Sequence, residues 1–193
     1  MTEAYSRWYR IFHWAIAIAF AFLLITIFLR LTWLNRDNTS AIMGSYLKQN
    51  GVELSQDQLI VLAKQIREPM WKWHVYTGYL LVGLFTLRLF LLFSGRMKLP
   101  DPFNERSSFK EKFQKWTYVI FYIGVVISLV TGLIIEFGPK EIKKTVESIH
   151  ELSIYYLVPF IILHLAGVLI AEFTDQKGII SRIISGGPGE RIS

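Results

Sequence analysis

Residues 149–173 read IHELSIYYLVPFIILHLAGVLIAEF, an apolar run in which His150 and His164 stand 14 positions apart. As a helix this run is long enough to cross the roughly 30 Å hydrocarbon core of a bilayer. Fourteen residues rise about 21 Å and return to within about 40° of the same helix face. One imidazole is thereby offered to each leaflet, both facing the same way. An ionisable side chain at membrane depth is costly and marks a functional site by default.

Outward from this segment, three more charge-poor stretches have membrane length, so helices are expected over about 9–34, 71–94, 115–137 and 147–173. The chain is 52% hydrophobic, and what lies outside the four stretches is too short for a separate soluble domain. The expected fold class is all-α: one integral membrane domain over 1–193, a four-helix bundle solvated by membrane lipid. The first stretch is too long for a signal peptide, lacks a small-residue cleavage site and carries His13 on its leading turn, so it counts as a mature helix.

The net charge of +6 sits in the connections, as membrane topology requires, and does not point to nucleic acid. With the N-terminus inside, eleven Lys and Arg fall on the inner side and eight on the outer, Arg191 being the last of the inner set. The short connection from Arg96 through Lys98 and Arg106 to Lys115 is the densest. Both termini of this multi-pass chain are therefore expected in the cytoplasm. There is no cysteine, which removes disulfides, thiolate-held iron–sulfur clusters and haem attached through Cys-x-x-Cys-His.

His13 opens the first segment and His74 the second; with His150 and His164 they are all the histidines of the chain. Helix direction alternates, so His13 and His164 share the inner depth, His74 and His150 the outer. Imidazole is a usual axial ligand of haem iron. Each pair is placed to clamp one iron from opposite sides. Two b haems are the expected cofactors, with His13 and His164 as ligands of the inner iron and His74 and His150 of the outer. A lone histidine at a helix end is more often an interfacial or hydrogen-bonded residue. The matched depths and the common face on the last helix carry the ligand reading.

Small residues add to it. Ala17 is four after His13, Gly78 four after His74 and Gly167 three after His164, offsets that share a face with the ligand. A porphyrin lying against a helix needs such a gap, although small residues also serve ordinary membrane-helix packing. Arg88 lies 14 after His74, mid-segment, on that histidine's face and at the inner pair's depth. An arginine there needs an anion, and a haem propionate supplies one; snorkelling to the inner surface is the alternative. Arg10, three before His13, is a second propionate candidate, and Lys72 and Arg67 are the outer ones. Pro159, between the two histidines of the last helix, is a kink position or an ordinary membrane-helix proline.

The outer connection, 35–70, is long for a loop and is expected to hold one or two amphipathic helices. Ser55-Gln56-Asp57-Gln58 has the form of a capping box, flanked by Leu54 and Leu59 as a hydrophobic staple. Leu59, Leu62, Ala63 and Ile66 follow at helical spacing, and Pro69 is expected to end that helix. Ser40 is placed to cap a shorter helix closed by Asn50-Gly51. These helices either lie on the membrane surface as a linker or form a docking platform. The inner connection carries Pro100 and Pro102, and the tail ends in Gly186-Gly187-Pro188-Gly189.

Several stretches together resemble the bacterial cytochrome b561 family, which includes the cytochrome b subunits of nickel–iron hydrogenases and formate dehydrogenases. They are Tyr5-Ser6-Arg7 through His13-Trp14, His74 with Gly78 and Arg88-Leu89, Gln114-Lys115, Thr131-Gly132-Leu133, and His150-Glu151 followed by His164 and Gly167. The likeness covers all four helices. It implies a di-haem membrane cytochrome of a bacterial inner membrane that exchanges electrons with quinone. Candidates near a quinone on the inner side are Glu111, Gln114 and Gly167; Glu136, Glu147 and Glu151 are outer candidates for proton relay or plain surface solvation. The function expected is a transmembrane electron carrier between the quinone pool and an outer-side donor or acceptor, stand-alone or as the partner of a periplasmic redox protein. The alternatives are a membrane subunit of a dehydrogenase or hydrogenase, and a histidine-based metal transporter. Sequence leaves the oligomeric state open.

Overall fold

The structure is a computed structural model that describes residues 6–95, 101–103, 108–174 and 176–186. Tyr5, Arg96, Lys98, Pro100, Arg106, the Gly187-Pro188-Gly189 tail and Arg191 lie outside the described residues. The described residues form seven helices: α1 (Arg7–Leu31), α2 (Arg36–Gln49), α3 (Gln56–Phe93), α4 (Phe109–Phe137), α5 (Lys140–Glu151), α6 (Ser153–Phe173) and α7 (Ile179–Ser185). Four runs are long and apolar enough to cross a membrane: α1, α3, α4 and Lys140–Phe173, which joins α5 and α6. The fold is all-helical with four membrane-length helices. In hydrocarbon every backbone N–H and C=O must be paired within its own segment, and a helix does this.

The helix ends follow from their capping residues. Ser6 starts α1, its hydroxyl accepting the Tyr9 N–H at 3.3 Å. Asn35, not Ser40, caps α2, because its side chain accepts from both the Asp37 and Asn38 N–H groups. Ser40 lies inside that helix, fully buried, with its hydroxyl turned back on the Asp37 carbonyl at 3.0 Å. At the other end the Val52 N–H reaches the Leu47 carbonyl at 2.9 Å and the Gly51 N–H the Lys48 carbonyl at 3.2 Å. This double closure needs the left-handed φ of 75° that Gly51 adopts.

α3 does not end at Pro69. It runs 38 residues from Gln56 to Phe93 with Pro69 inside it, about 57 Å of helix. The proline removes one N–H and strands the carbonyl four residues back. Pro69 and Gln65 are both exposed, so that carbonyl can turn to solvent. The start of α3 carries both halves of the capping box. The Ser55 N–H donates to Gln58 Oε1 at 2.8 Å and the Gln58 N–H to Ser55 Oγ at 3.3 Å. α4 starts at Phe109, ahead of the apolar run, because Ser108 and Glu111 form a second capping box.

The last span is not one unbroken helix. α5 starts at Lys140, after Gly138-Pro139, and stops at Glu151; α6 starts at Ser153. At Leu152 ψ opens to −11° and its N–H bonds Ile149, three residues back. The Ser153 hydroxyl donates to the His150 carbonyl, competing with the backbone for that acceptor. His150 and His164 therefore sit on successive helices of one span, with Leu152 between them still in the right-handed helical region. Pro159 stays inside α6.

The chain divides into two compact units, Ile16–Gly83 and the remainder, Met1–Ala15 with Leu84–Ser193. In the first, α2 lies close on the start of α3: a Cβ added at Gly44 would stand 2.8 Å from Leu59 Cδ1. Ser40, Leu59 and Ala63 are buried at that contact. In the second, Phe121, Val125 and Leu157 are buried where α4 meets α6, and Phe121 stacks on Phe160 with ring centres 3.7 Å apart.

Candidate functional site

His13 projects from α1 and His164 from α6, and their ring centres stand 6.1 Å apart with 46° between the planes. A metal ion bound between two opposed imidazoles at about 2 Å from each nitrogen puts the ring centres about 6 Å apart. The His164 ring is oriented from two sides. Phe160 stacks on it at 5.8 Å and 12°, itself stacked on Phe121, and Tyr118 OH bonds His164 Nδ1 at 3.2 Å. Beside His13, Trp14 Nε1 donates to the Ile183 carbonyl of α7 at 3.1 Å. The α7 turn is held in place by Glu172, whose carboxylate accepts the Gly178 and Ile180 N–H groups at 2.9 and 3.0 Å.

Arg88 is half-buried and lies within electrostatic reach of His13. Its Nε donates to the Tyr122 hydroxyl, and its guanidinium carbon lies 5.5 Å from the centre of that ring. This ties the side chain to α4, and a guanidinium has further N–H donors beyond Nε. Arg10 is half-buried, with Nη1 fully out of solvent.

His74 bonds Thr26 of α1, Nδ1 to Oγ1 at 2.7 Å. The Thr26 hydroxyl proton goes to the Leu23 carbonyl at 2.6 Å, so its oxygen accepts from the Nδ1–H of His74. His150 repeats this in another pair of helices. Its Nδ1 lies 3.0 Å from Thr131 Oγ1, whose proton is shared between the Ile127 and Ser128 carbonyls at 2.8 and 3.1 Å. Both histidines are therefore fixed as the tautomer whose Nε2 carries the lone pair, the form in which imidazole ligates a metal. Gly132 gives His150 its room, since a Cβ there would stand 3.2 Å from His150 Cε1. A line of hydroxyls, Tyr156 to Ser128 at 2.9 Å and Ser128 to Ser153 at 2.6 Å, ends on the His150 carbonyl.

The glycines separate into two kinds. Gly124 and Gly132 are packed, one under the Tyr156 ring and the other under His150. Gly78 and Gly167 open on space, with nothing within 4 Å of an added Cβ. Close helix packing explains the first pair; Gly83 of α3 is as open as Gly78 and Gly167. Among the described residues no three His, Cys, Asp or Glu side chains converge as a metal-ion site. At His74, His150 and His164 the donor set is one imidazole with a hydroxyl behind it, which suits ligation of a haem iron.

Other sequence candidates fall differently. Lys72 is exposed and pairs with Glu68 at 3.0 Å. Glu111 commits its carboxylate to the Ser108 N–H at 2.9 Å, as the cap of α4. Gln114, Glu136, Glu147 and Glu151 are exposed. Sequence reasoning passes over Thr26, Tyr118 and Tyr122 and names Thr131-Gly132 only within the family likeness, without a role; the available signal for the hydroxyls is their place inside an apolar run. The sequence matches the family described as prokaryotic cytochrome b561 over residues 4–186. No curated protein and no solved structure matches it.

Proposed function

This chain belongs to the prokaryotic cytochrome b561 family, membrane carriers of electrons on b-type haem, and from that premise we propose that it holds two haems. On this reading it passes electrons across a bacterial inner membrane between the quinone pool and a donor or acceptor on the outer side, with both termini in the cytoplasm. The observation that carries it is the 6.1 Å separation of the His13 and His164 rings, which suits one iron between them. The outer pair, His74 and His150, is supported by matched depth in the sequence and by the same Nδ1-to-threonine bond at each. Held by His13 with His164 and by His74 with His150, the haems would supply one-electron couples.

The chain's own residues do the rest. The histidines hold the irons; Thr26, Thr131 and Tyr118 orient them. Arg88 and Arg10 are the cations for the inner propionates, and Gly78 and Gly167 leave room for the porphyrin planes. The apolar spans keep water away. Gln114 and Gly167 remain the candidates nearest a quinone on the inner side. Family membership leaves the metal-passage reading without support. A second version, the membrane cytochrome subunit of a dehydrogenase or hydrogenase, is favoured by the helical pair α2 and the start of α3, which gives the outer side a structured surface.

Haem content and reduced-minus-oxidised spectra of the purified protein test the proposal. Two low-spin haems per chain are expected. His13→Ala and His164→Ala should lose one of them, His74→Ala and His150→Ala the other. If His13→Ala and His150→Ala removed the same haem, the pairing would be wrong.

A further inference from the structure

α7 has seven residues, Ile179–Ser185, too few to stand as a helix on its own hydrogen bonds. The first N–H groups and last carbonyls of any helix find no partner within it. Here both ends are completed from neighbouring helices. At the start, Glu172 of α6 accepts the Gly178 N–H on one carboxylate oxygen at 2.9 Å and the Ile180 N–H on the other at 3.0 Å. At the far end, the Ile183 carbonyl accepts from the indole N–H of Trp14 in α1 at 3.1 Å. The turn from α6 into α7 passes through Gly178, whose φ of 81° lies in the left-handed region. The side chains of Ile179, Ile180 and Ile183 are half-buried.

What α7 joins are the two helices that carry the inner histidines. Trp14 follows His13 directly, so its side chain leaves α1 about 100° round from the imidazole. It ties α1 down at the histidine's own turn without occupying the histidine's face. Glu172 is eight residues beyond His164, about 12 Å along α6. A hydrogen-bonded path therefore runs from the His13 turn through α7 to the His164 helix. A helix end opens easily unless something ties it down. His13 stands in the second turn of α1, where such opening would shift the imidazole.

We propose that α7 is a clasp that sets the 6.1 Å separation of the His13 and His164 rings, with Trp14, Glu172 and Gly178 as positioning residues for the iron between them. The clasp rests on the haem reading of that pair. Its contacts act in series, so breaking one opens the whole path.

The test uses the haem-loaded protein and two readouts. One is carbon monoxide uptake after reduction, which needs an axial histidine to let go. The other is hydrogen exchange of the amides of residues 7–14. Trp14→Phe and Glu172→Ala should each raise carbon monoxide uptake several-fold, to a ceiling of about half the total haem because the outer pair is untouched. Each should also quicken exchange at the start of α1. Glu172→Gln, which keeps one accepting oxygen, should fall between wild type and Glu172→Ala. Trp14→Phe combined with Glu172→Ala should do no more than one of them alone, since contacts in series are not additive. Gly178→Asn, tolerated at positive φ, should match wild type, whereas Gly178→Val should behave as Glu172→Ala does. If Glu172→Ala does not accumulate, the Glu172→Gln and Gly178 variants still give the comparison. Unchanged ligation and exchange would overturn the clasp. Faster exchange with ligation intact, or effects that add in the double variant, would leave α7 a structural tie and overturn its positioning role. His13→Ala or His164→Ala protein that keeps its full haem content and wild-type spectra would refute the haem reading of the pair; if those variants lose a haem while the clasp variants match wild type, the clasp alone fails.

Discussion

Thr131 has a single hydroxyl proton, and it goes to the carbonyls of α4; the oxygen is left to accept from His150. Thr131→Val keeps the shape and removes the acceptor. Losing this acceptor costs about 0.5–1.5 kcal/mol, the net worth of a typical hydrogen bond. The imidazole also becomes a weaker donor to iron, because the bond at Nδ1 is what raises its basicity. The outer haem should therefore titrate at a higher potential and the protein melt earlier, with Thr131→Ser close to wild type; unaltered potential and melting in the Val variant would leave the hydroxyl without this role. Arg88 is the converse case, since a nearby positive charge favours the reduced haem. Arg88→Leu should lower the inner haem's potential or occupancy, whereas Tyr122→Phe, which removes the partner of Nε and keeps the charge, should change it less. Equal effects of the two would make Arg88 a packing residue. The four histidines are legible in the sequence because an ionisable group in an apolar run stands out. Their hydroxyl partners are not: Thr26, Thr131 and Tyr118 are uncharged and lie 48, 19 and 46 positions from their histidines.

The elements show where local rules stop. The four spans follow from length and hydropathy alone, and the Asn50-Gly51 closure from turn chemistry. Pro69 looks like a helix end, yet α3 continues through it because the exposed side of the helix can absorb the missing bond. Pro69→Ala restores an N–H to an existing helix, so it should stabilise the protein by up to about 3 kcal/mol, the helix-interior difference between the two residues. Thermal melting of the holoprotein measures this. A lower melting temperature would mean that the proline serves a bend on which α3 depends. The break at Leu152 has the opposite origin. No Gly or Pro marks it, and it arises from a serine hydroxyl taking a carbonyl, a competition that sequence periodicity does not register.

For the whole molecule, the proposed pairing of the histidines at two depths would make the chain a path across the membrane instead of along one face. On that proposal the soluble donor or acceptor meets the outer haem beside α2 and the start of α3, and quinone meets the inner one near His164 and the start of α4. Reduction by a quinol in His13→Ala and in His74→Ala protein separates the ends. Quinol should still reduce the remaining inner haem of His74→Ala at the normal rate and fail in His13→Ala; the reverse pattern moves quinone to the outer side. The break at Leu152 bears on this path as well. A single stiff rod from His150 to His164 would pass any twist at one ligand straight to the other. With a looser turn between them, each histidine would settle against the iron proposed for it with less pull on its neighbour.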